Sequence, residues 1–223
     1  MGPTRVVLVF AKPPRPGHVK TRLLQLLTAQ QAAELHLVCL RDTLRMAGHA
    51  GECRKWLLVA GRPDSAQRLA EQLRLTSRWR LAVQAGGDLG NRLAFAFEQC
   101  FLSGARKVLA VGTDTPWMGA ERLLRALAML DSADAVLGPT EDGGYYLVAA
   151  RRMIPEMFQG IPWGTSRVLT ATLEALARVG ASHRLLPRDF DLDRPADLHR
   201  AAHLLRRKPF RAPLLARWLE LNG

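Results

Sequence analysis

Short apolar runs alternate with longer stretches of helical periodicity along the whole chain, and this alternation decides the fold class. VVLVF (6–10) is a continuous apolar run, as expected of a strand covered on both faces in a parallel sheet. WLLVA (56–60), 80–84, KVLAV (107–111), DAVLGP (134–139), 144–150 and a short run at 183–186 predict further strands. Between them, apolar residues at helical spacing predict helices over 29–47, 64–73, 89–102, 120–130, 166–179 and 195–205. Asp64 or Ser65 is the expected cap of the second helix, and Thr165 or Ser166 that of the fifth. Strand and helix in this order imply βαβ units, an α/β fold and a mostly parallel sheet. Ligands in such sheets bind beyond the carboxyl ends of the strands. The loops after Phe10, Gln84, Val111 and Pro139 are therefore where chemistry is to be sought.

A chain of 223 residues fits one domain, here 1–223, and buries roughly 70% of its unfolded surface. The 48% hydrophobic content argues for a globule and against disorder. No run approaches the ~18 apolar residues of a membrane span, and the opening apolar run is too short for a leader peptide. Three widely spaced cysteines, Cys39, Cys53 and Cys100, form no disulfide or zinc pattern. These features place the protein in the reducing cytoplasm. Net charge is +12, mostly from scattered Arg, with RRKPFR (206–211) the densest cluster. Such a charge favours anionic partners. There is no interleaved aromatic and basic stripe of the kind that holds single strands, so a nucleotide is expected rather than nucleic acid.

The first loop, AKPPRPGHVKTRL (11–23), sets Lys12, Arg15, Lys20 and Arg22 just past the first strand. Prolines stiffen it and Gly17 permits close backbone approach. Point charges from Lys, forked donors from Arg and nearby amides suit phosphate oxygens. The pattern is neither GxxxxGK[ST] nor GxGxxG. The fourth strand delivers GTDTP (112–116) to the same edge. An acid there needs a cation or donors, and opposite a phosphate loop Asp114 suits Mg²⁺, which takes one or two carboxylates plus substrate phosphates. The alternative is a turn cap. GPTEDGGYY (138–146) brings Glu141, Asp142, Gly143 and Gly144 to that edge, either as a hairpin turn or as part of the site. IPWGTSR (161–167) leads into a helix start, with Trp163 and Ser166 near the site. In DLDRPADL (191–198), Asp191 and Asp193 share a face on extended chain. Asp193 either caps the helix opened by Pro195 or is a second metal ligand. His199 and His203 read as a solvated helix face. Trp117 and Trp163 flank the site, in the core or in a pocket wall.

FAKPPRPGHVKTRL, GGDLGNRL, GTDTP, GPTEDGGYYL, IPWGTSRVL and DLDRPADL follow one another from residue 10 to 198. As a set they resemble the glycosyltransferase-A-like superfamily. Within it they are most similar to the uncharacterised transferases related to 2-phospholactate guanylyltransferase and, more distantly, to molybdenum-cofactor guanylyltransferase. The resemblance implies a three-layer α/β/α sandwich with a nucleotide at the carboxyl edge. It implies nucleotide contacts from Lys12, Arg15, Gly17, Lys20, Thr21, Arg22, Gly87 and Arg92, and acceptor contacts from Glu141, Gly143, Gly144, Trp163 and Ser166. Mg²⁺ or Mn²⁺ would sit on Asp114 and Asp193, with Lys20, Asp114 and Asp142 as catalytic groups. The first loop departs from LAGGxSxRMGxxK, and GTDTP carries one acid where many glycosyltransferases have DxD.

Two activities are expected. The first is nucleotidyl transfer from a nucleoside triphosphate to a small phosphorylated or carboxylated acceptor, with release of pyrophosphate. The second is glycosyl transfer from a nucleoside-diphosphate sugar. A non-catalytic nucleotide or RNA binder is a third reading, favoured only by the charge.

Overall fold

The computed structural model describes residues 5–222. The first four, part of the stretch weighed as a leader peptide, lie outside the described residues. Seven strands form one sheet: β1 Arg5–Ala11, β2 Arg54–Val59, β3 Trp79–Val83, β4 Lys107–Val111, β5 Ala135–Pro139, β6 Tyr145–Ala150 and β7 His183–Leu185. Their order is β3-β2-β1-β4-β6-β5-β7. All neighbours run parallel except β6, which is antiparallel to β4 and β5. The carboxyl ends of β1 to β5 and the start of β6 therefore share one rim.

Helices cover both faces: α1 Ala29–Gly48, α2 Pro63–Leu73, α3 Leu89–Leu102, α4 Ala120–Met129, α5 Val168–Arg178, α6 Pro195–Arg207 and α7 Pro213–Asn222. The period-2 alternation of β1 divides the core. Val7 and Val9 pack with Leu40 and Leu44 of α1, Leu69 of α2 and Leu123 of α4. Val6 and Leu8 pack with Leu93 and Phe97 of α3 and Leu176 of α5. The result is the expected three-layer sandwich. Among the described residues, no helix is long and apolar enough to cross a membrane. Cys39 and Cys100 are buried thiols.

Several expected caps are corrected. Helix α2 starts one residue early, with Arg62 as cap and Pro63 at its first turn, so neither Asp64 nor Ser65 caps it. Helix α5 starts at Val168 with Arg167 as an uncapped N-cap. Thr165 Oγ1 instead accepts from the Arg167 amide in the preceding turn, at 3.2 Å. At α6 the cap residue is Arg194, not Asp193. Asp197 reaches back, accepting from the Arg194 amide at 2.7 Å and the Asp193 amide at 3.1 Å.

Helix α7 has no counterpart in the sequence reading, because its ten residues follow the irregular basic stretch through Ala212. It closes a third core with α1 and α6, through Leu35, Cys39, Leu205, Leu215 and Leu219. Its start is fixed from across the molecule. Buried Asp42 of α1 accepts from the amides of Leu214 (3.3 Å) and Leu215 (2.8 Å). Burial raises this carboxyl against the pull of those amides. Asp42→Ala leaves two amides without partners, and a lost cap of this kind is worth ~2 kcal/mol. At ~2–4 °C per kcal/mol for a chain of this size, the expected fall in Tm is about 4–8 °C; an unchanged melting curve would contradict this role.

Candidate active site

Lys20 stands at the centre of the rim. Its backbone is left-handed (φ 50°), a conformation costing a non-glycine residue ~1 kcal/mol unless its surroundings impose it. They do so here. Its side chain is only 3% exposed, and Nζ donates to Asp114 Oδ1 at 2.6 Å. The same ammonium donates to the Leu192 carbonyl. The Leu192 amide in turn donates to the Asp114 carbonyl at 2.8 Å. One lysine thus staples GTDTP to DLDRP. Burial opposes its charge, but the Asp114 carboxylate more than offsets this and raises its pKa, so it remains an ammonium. Burial pushes Asp114 up too, and Lys20 overrides it, holding the acid below its ordinary range. The Asp114 side chain is still 49% exposed, so its carboxylate remains accessible from the cleft.

The walls of a cavity of about 620 Å³ bring together Lys12, Lys20, Thr21, Arg22, Arg92, Asp114 and Asp193. Cationic and anionic segments far apart in sequence share one cleft, paired directly as Lys20 with Asp114 and Arg22 with Asp193. Arg22 does not face it freely, since its Nη1 lies 2.5 Å from Asp193 Oδ2, and both side chains are partly exposed. Arg92 is held by the Gly87 carbonyl (3.0 Å) and by Gln84 Oε1 (3.4 Å). Gln84 in turn donates to the carbonyls of Ala11 and Leu58, tying the ends of β1 and β2. Gly87 serves through its carbonyl and its positive φ of 91°.

Arg15 lies in an adjoining cavity that shares Lys12, His18 and Val19 with the first. It donates to Ser65 Oγ at 2.7 Å. Gly17 turns the loop there with φ 77°. His36 was not foreseen: it sits on the buried face of α1, where a histidine reads as core. Its Nε2 pairs with the Lys12 carbonyl at 3.0 Å and so fixes the loop. Burial, with Lys20 adding to it, lowers its pKa against the pull of Asp114, keeping it neutral.

On the other side of Arg22, Leu89 and Asp193 the cleft widens into a cavity of about 660 Å³ containing Asp142, Gly144, Trp163, Ser166 and Asp191. Asp142 closes its own turn, accepting from Thr140 Oγ1 (2.5 Å) and the Gly144 amide (3.0 Å). The hairpin reading of EDGG therefore holds alongside its place in the cleft. Glu141 is engaged by Arg200 in a two-pronged pair at 2.7 and 2.8 Å. Trp163 is half-buried against Tyr145, with ring centroids 6.0 Å apart. Its Nε1 is enclosed without a partner. Trp117, by contrast, is core: it stacks on Phe190 at 4.6 Å and donates to Asp189. Asp189, also missed in the sequence, pairs with Arg122.

Asp191 is the carboxylate electrostatically coupled to Asp114. Burial and the neighbouring Asp114 charge push it up to about 7, with the Thr115 hydroxyl opposing and Asp142 adding to the rise. An acid raised by the charge of a neighbouring carboxylate suits a hard divalent cation, which would relieve that repulsion. Among the described residues no three His, Cys, Asp or Glu converge as a complete ligand set. Protein carboxylates completed by substrate phosphates are the arrangement these residues fit.

The fold is that of the nucleotide-handling transferases. A structure from Desulfovibrio desulfuricans G20, described as a "putative nucleotide-diphospho-sugar transferase", shares 30% identity, covers 99% of this chain and 95% of its own, and superposes with a TM-score of 0.92. A nucleotidyl transferase from Methanothermobacter thermautotroptrophicus has a TM-score of 0.61 at 15% identity, covering 92% and 99%. A manganese complex of Rv0371C from Mycobacterium tuberculosis H37Rv has 0.55 at 16%, covering 90% and 98%. These last two likenesses establish the fold. No curated protein matches the sequence. Residues 43–165 match the family described as "Uncharacterized protein conserved in bacteria (DUF2064)", and the chain belongs to that family.

Proposed function

We propose that the protein is a transferase that moves a nucleotidyl group from a nucleoside triphosphate to a small phosphorylated or carboxylated acceptor, with a divalent cation, Mg²⁺ or Mn²⁺, as cofactor. The observation that carries this reading is the single cavity holding Lys12, Lys20, Arg22 and Asp114 at the carboxyl rim of the sheet. Lys12, Arg22 and Arg92 bind the β- and γ-phosphates, and Thr21 and the Gly17 turn shape the loop against them. An acceptor oxygen attacks the α-phosphorus, a new P–O bond forms, and the bond to the leaving pyrophosphate breaks. Charge neutralisation and alignment supply most of the acceleration in such a reaction. Lys20 keeps Asp114 ionised and aimed. Asp114, with Asp193 or Asp191 as second carboxylate, would hold the cation, which when bound offsets phosphate charge. Gly144, Trp163 and Ser166 line the acceptor side, Gly143 sets their spacing by packing against the Ser166 carbonyl, Glu141 fixes Arg200, and Asp142 orients the acceptor or takes its proton. The manganese complex of a fold relative agrees with a divalent cation.

Glycosyl transfer from a nucleoside-diphosphate sugar is the second reading, favoured by the description of the Desulfovibrio relative. Thermal shift and product analysis separate the two. A nucleoside triphosphate with Mg²⁺ at ~100 times its Kd stabilises by ~2.7 kcal/mol, an expected rise of about 5–10 °C; turnover then releases pyrophosphate. A rise with nucleotide sugars alone, and release of nucleoside diphosphate, would favour the second reading. No rise with either would overturn both.

A further inference from the structure

The acceptor side of the cleft does not end at Arg200. Arg200 and Phe190 line both that cavity and a further groove of about 530 Å³, whose other walls are His199, His203, Leu204, Arg207 and Lys208. The junction is rigid. The Arg200 guanidinium lies 4.0 Å over the Phe190 ring, Glu141 holds its far edge at 2.7 and 2.8 Å, and Phe190 rests on buried Trp117.

Beyond it, Arg200, His203, Leu204 and Arg207 follow at i, i+3, i+4 and i+7, one stripe of α6. The stripe carries the ligand path ~10 Å outward, at ~1.5 Å per residue. No acid lines the groove, and none occurs between Asp197 and Glu220. Among the described residues, neither Arg207 nor Lys208 has an ion-pair partner, whereas Arg200 and Arg211 each have one. A forked guanidinium and a point charge lining one groove, neither of them paired, form a phosphate-binding combination.

We infer that the acceptor is an elongated molecule bearing a phosphate at the end remote from the attacking oxygen, and that Arg207 and Lys208 bind that phosphate. This rests on the reading that the cavity around Trp163 and Asp142 takes the acceptor. It also gives Arg207 and Lys208 of the basic cluster at 206–211 a specific ligand.

Inorganic pyrophosphate is the probe, titrated in metal-free, low-salt buffer into ¹⁵N-labelled full-length protein while backbone amide shifts are followed. Two groups of amides are expected to move with separate affinities: those of residues 12–22 and those of 199–208. R207E/K208E is expected to weaken the second at least about tenfold, ~1.4 kcal/mol, and to leave the first in place. R125E, a charge reversal on exposed α4, leaves both unchanged. The inference is overturned if the α6 amides do not move, if R207E/K208E leaves their affinity as it was, or if R125E weakens them equally. Silence of residues 12–22 alone would count against the nucleotide reading and not against the groove.

Discussion

Asp114→Asn is expected to yield a folded protein whose turnover falls about 10³-fold. The asparagine keeps an oxygen acceptor for Lys20, so the staple between GTDTP and DLDRP survives. What disappears is the negative charge that the cation and phosphate site is built around. Contributions of this kind are worth several kcal/mol, and each ~1.36 kcal/mol is tenfold in rate. Asp114→Ala behaves differently. It leaves the Lys20 ammonium, 3% exposed, with only the Leu192 carbonyl. Breaking a fully buried ion pair costs 3–5 kcal/mol. Because Asp114 is half exposed and water can enter, ~2 kcal/mol is the expected loss here. The two variants should therefore match in turnover and differ in Tm, by about 4–8 °C. Near wild-type turnover in Asp114→Asn would remove Asp114 from the mechanism, and equal melting curves would remove the staple.

Gly143→Ala is expected to cost about 2–4 kcal/mol of stability and to damage acceptor binding while sparing the nucleotide. Gly143 has φ +89°, and a Cβ there would stand 2.0 Å from the Ser166 carbonyl oxygen. That atom is backbone, so the EDGG turn or the IPWGTSR loop has to move. The Gly143 carbonyl also accepts the Leu169 amide at 2.8 Å, holding the start of α5. Positive-φ strain and a backbone clash add, and together they reach the upper range of single-residue effects. The nucleotide loop shares none of these contacts. KM for the acceptor should rise at least about tenfold, a displacement worth ~1.4 kcal/mol of binding, while the thermal shift given by nucleotide is kept. A variant as stable as wild type would mean that the two loops do not abut as described.

Much of this was legible in the chain because parallel sheets write themselves plainly. Strands such as β4 are buried on both faces and read as unbroken apolar runs, here 108–111, and α3 shows its stripe through Leu93, Phe97 and Cys100. The rim loops were legible because basic, acidic and glycine residues fall where strands end. What escaped reading depends on contacts across the fold. His36 and Asp42 lie on the apolar faces of α1 and look like core; only the opposing Lys12 carbonyl and the α7 amides give them partners. Period-2 alternation put Asp191 and Asp193 on one side. It could not show that Arg22 would engage Asp193 while Asp191 came under the influence of Asp114. Likewise Glu141 looked available for an acceptor until α6 placed Arg200 against it.

The most direct test is crystallographic. Crystals grown with a nucleoside triphosphate and Mn²⁺, measured at the manganese absorption edge, locate the cation by anomalous scattering. The expected result is a peak against the Asp114 carboxylate, with phosphate density reaching Lys12 and Arg22. A well-occupied nucleotide bound away from that rim, or a manganese peak that leaves Asp114 untouched, would contradict it.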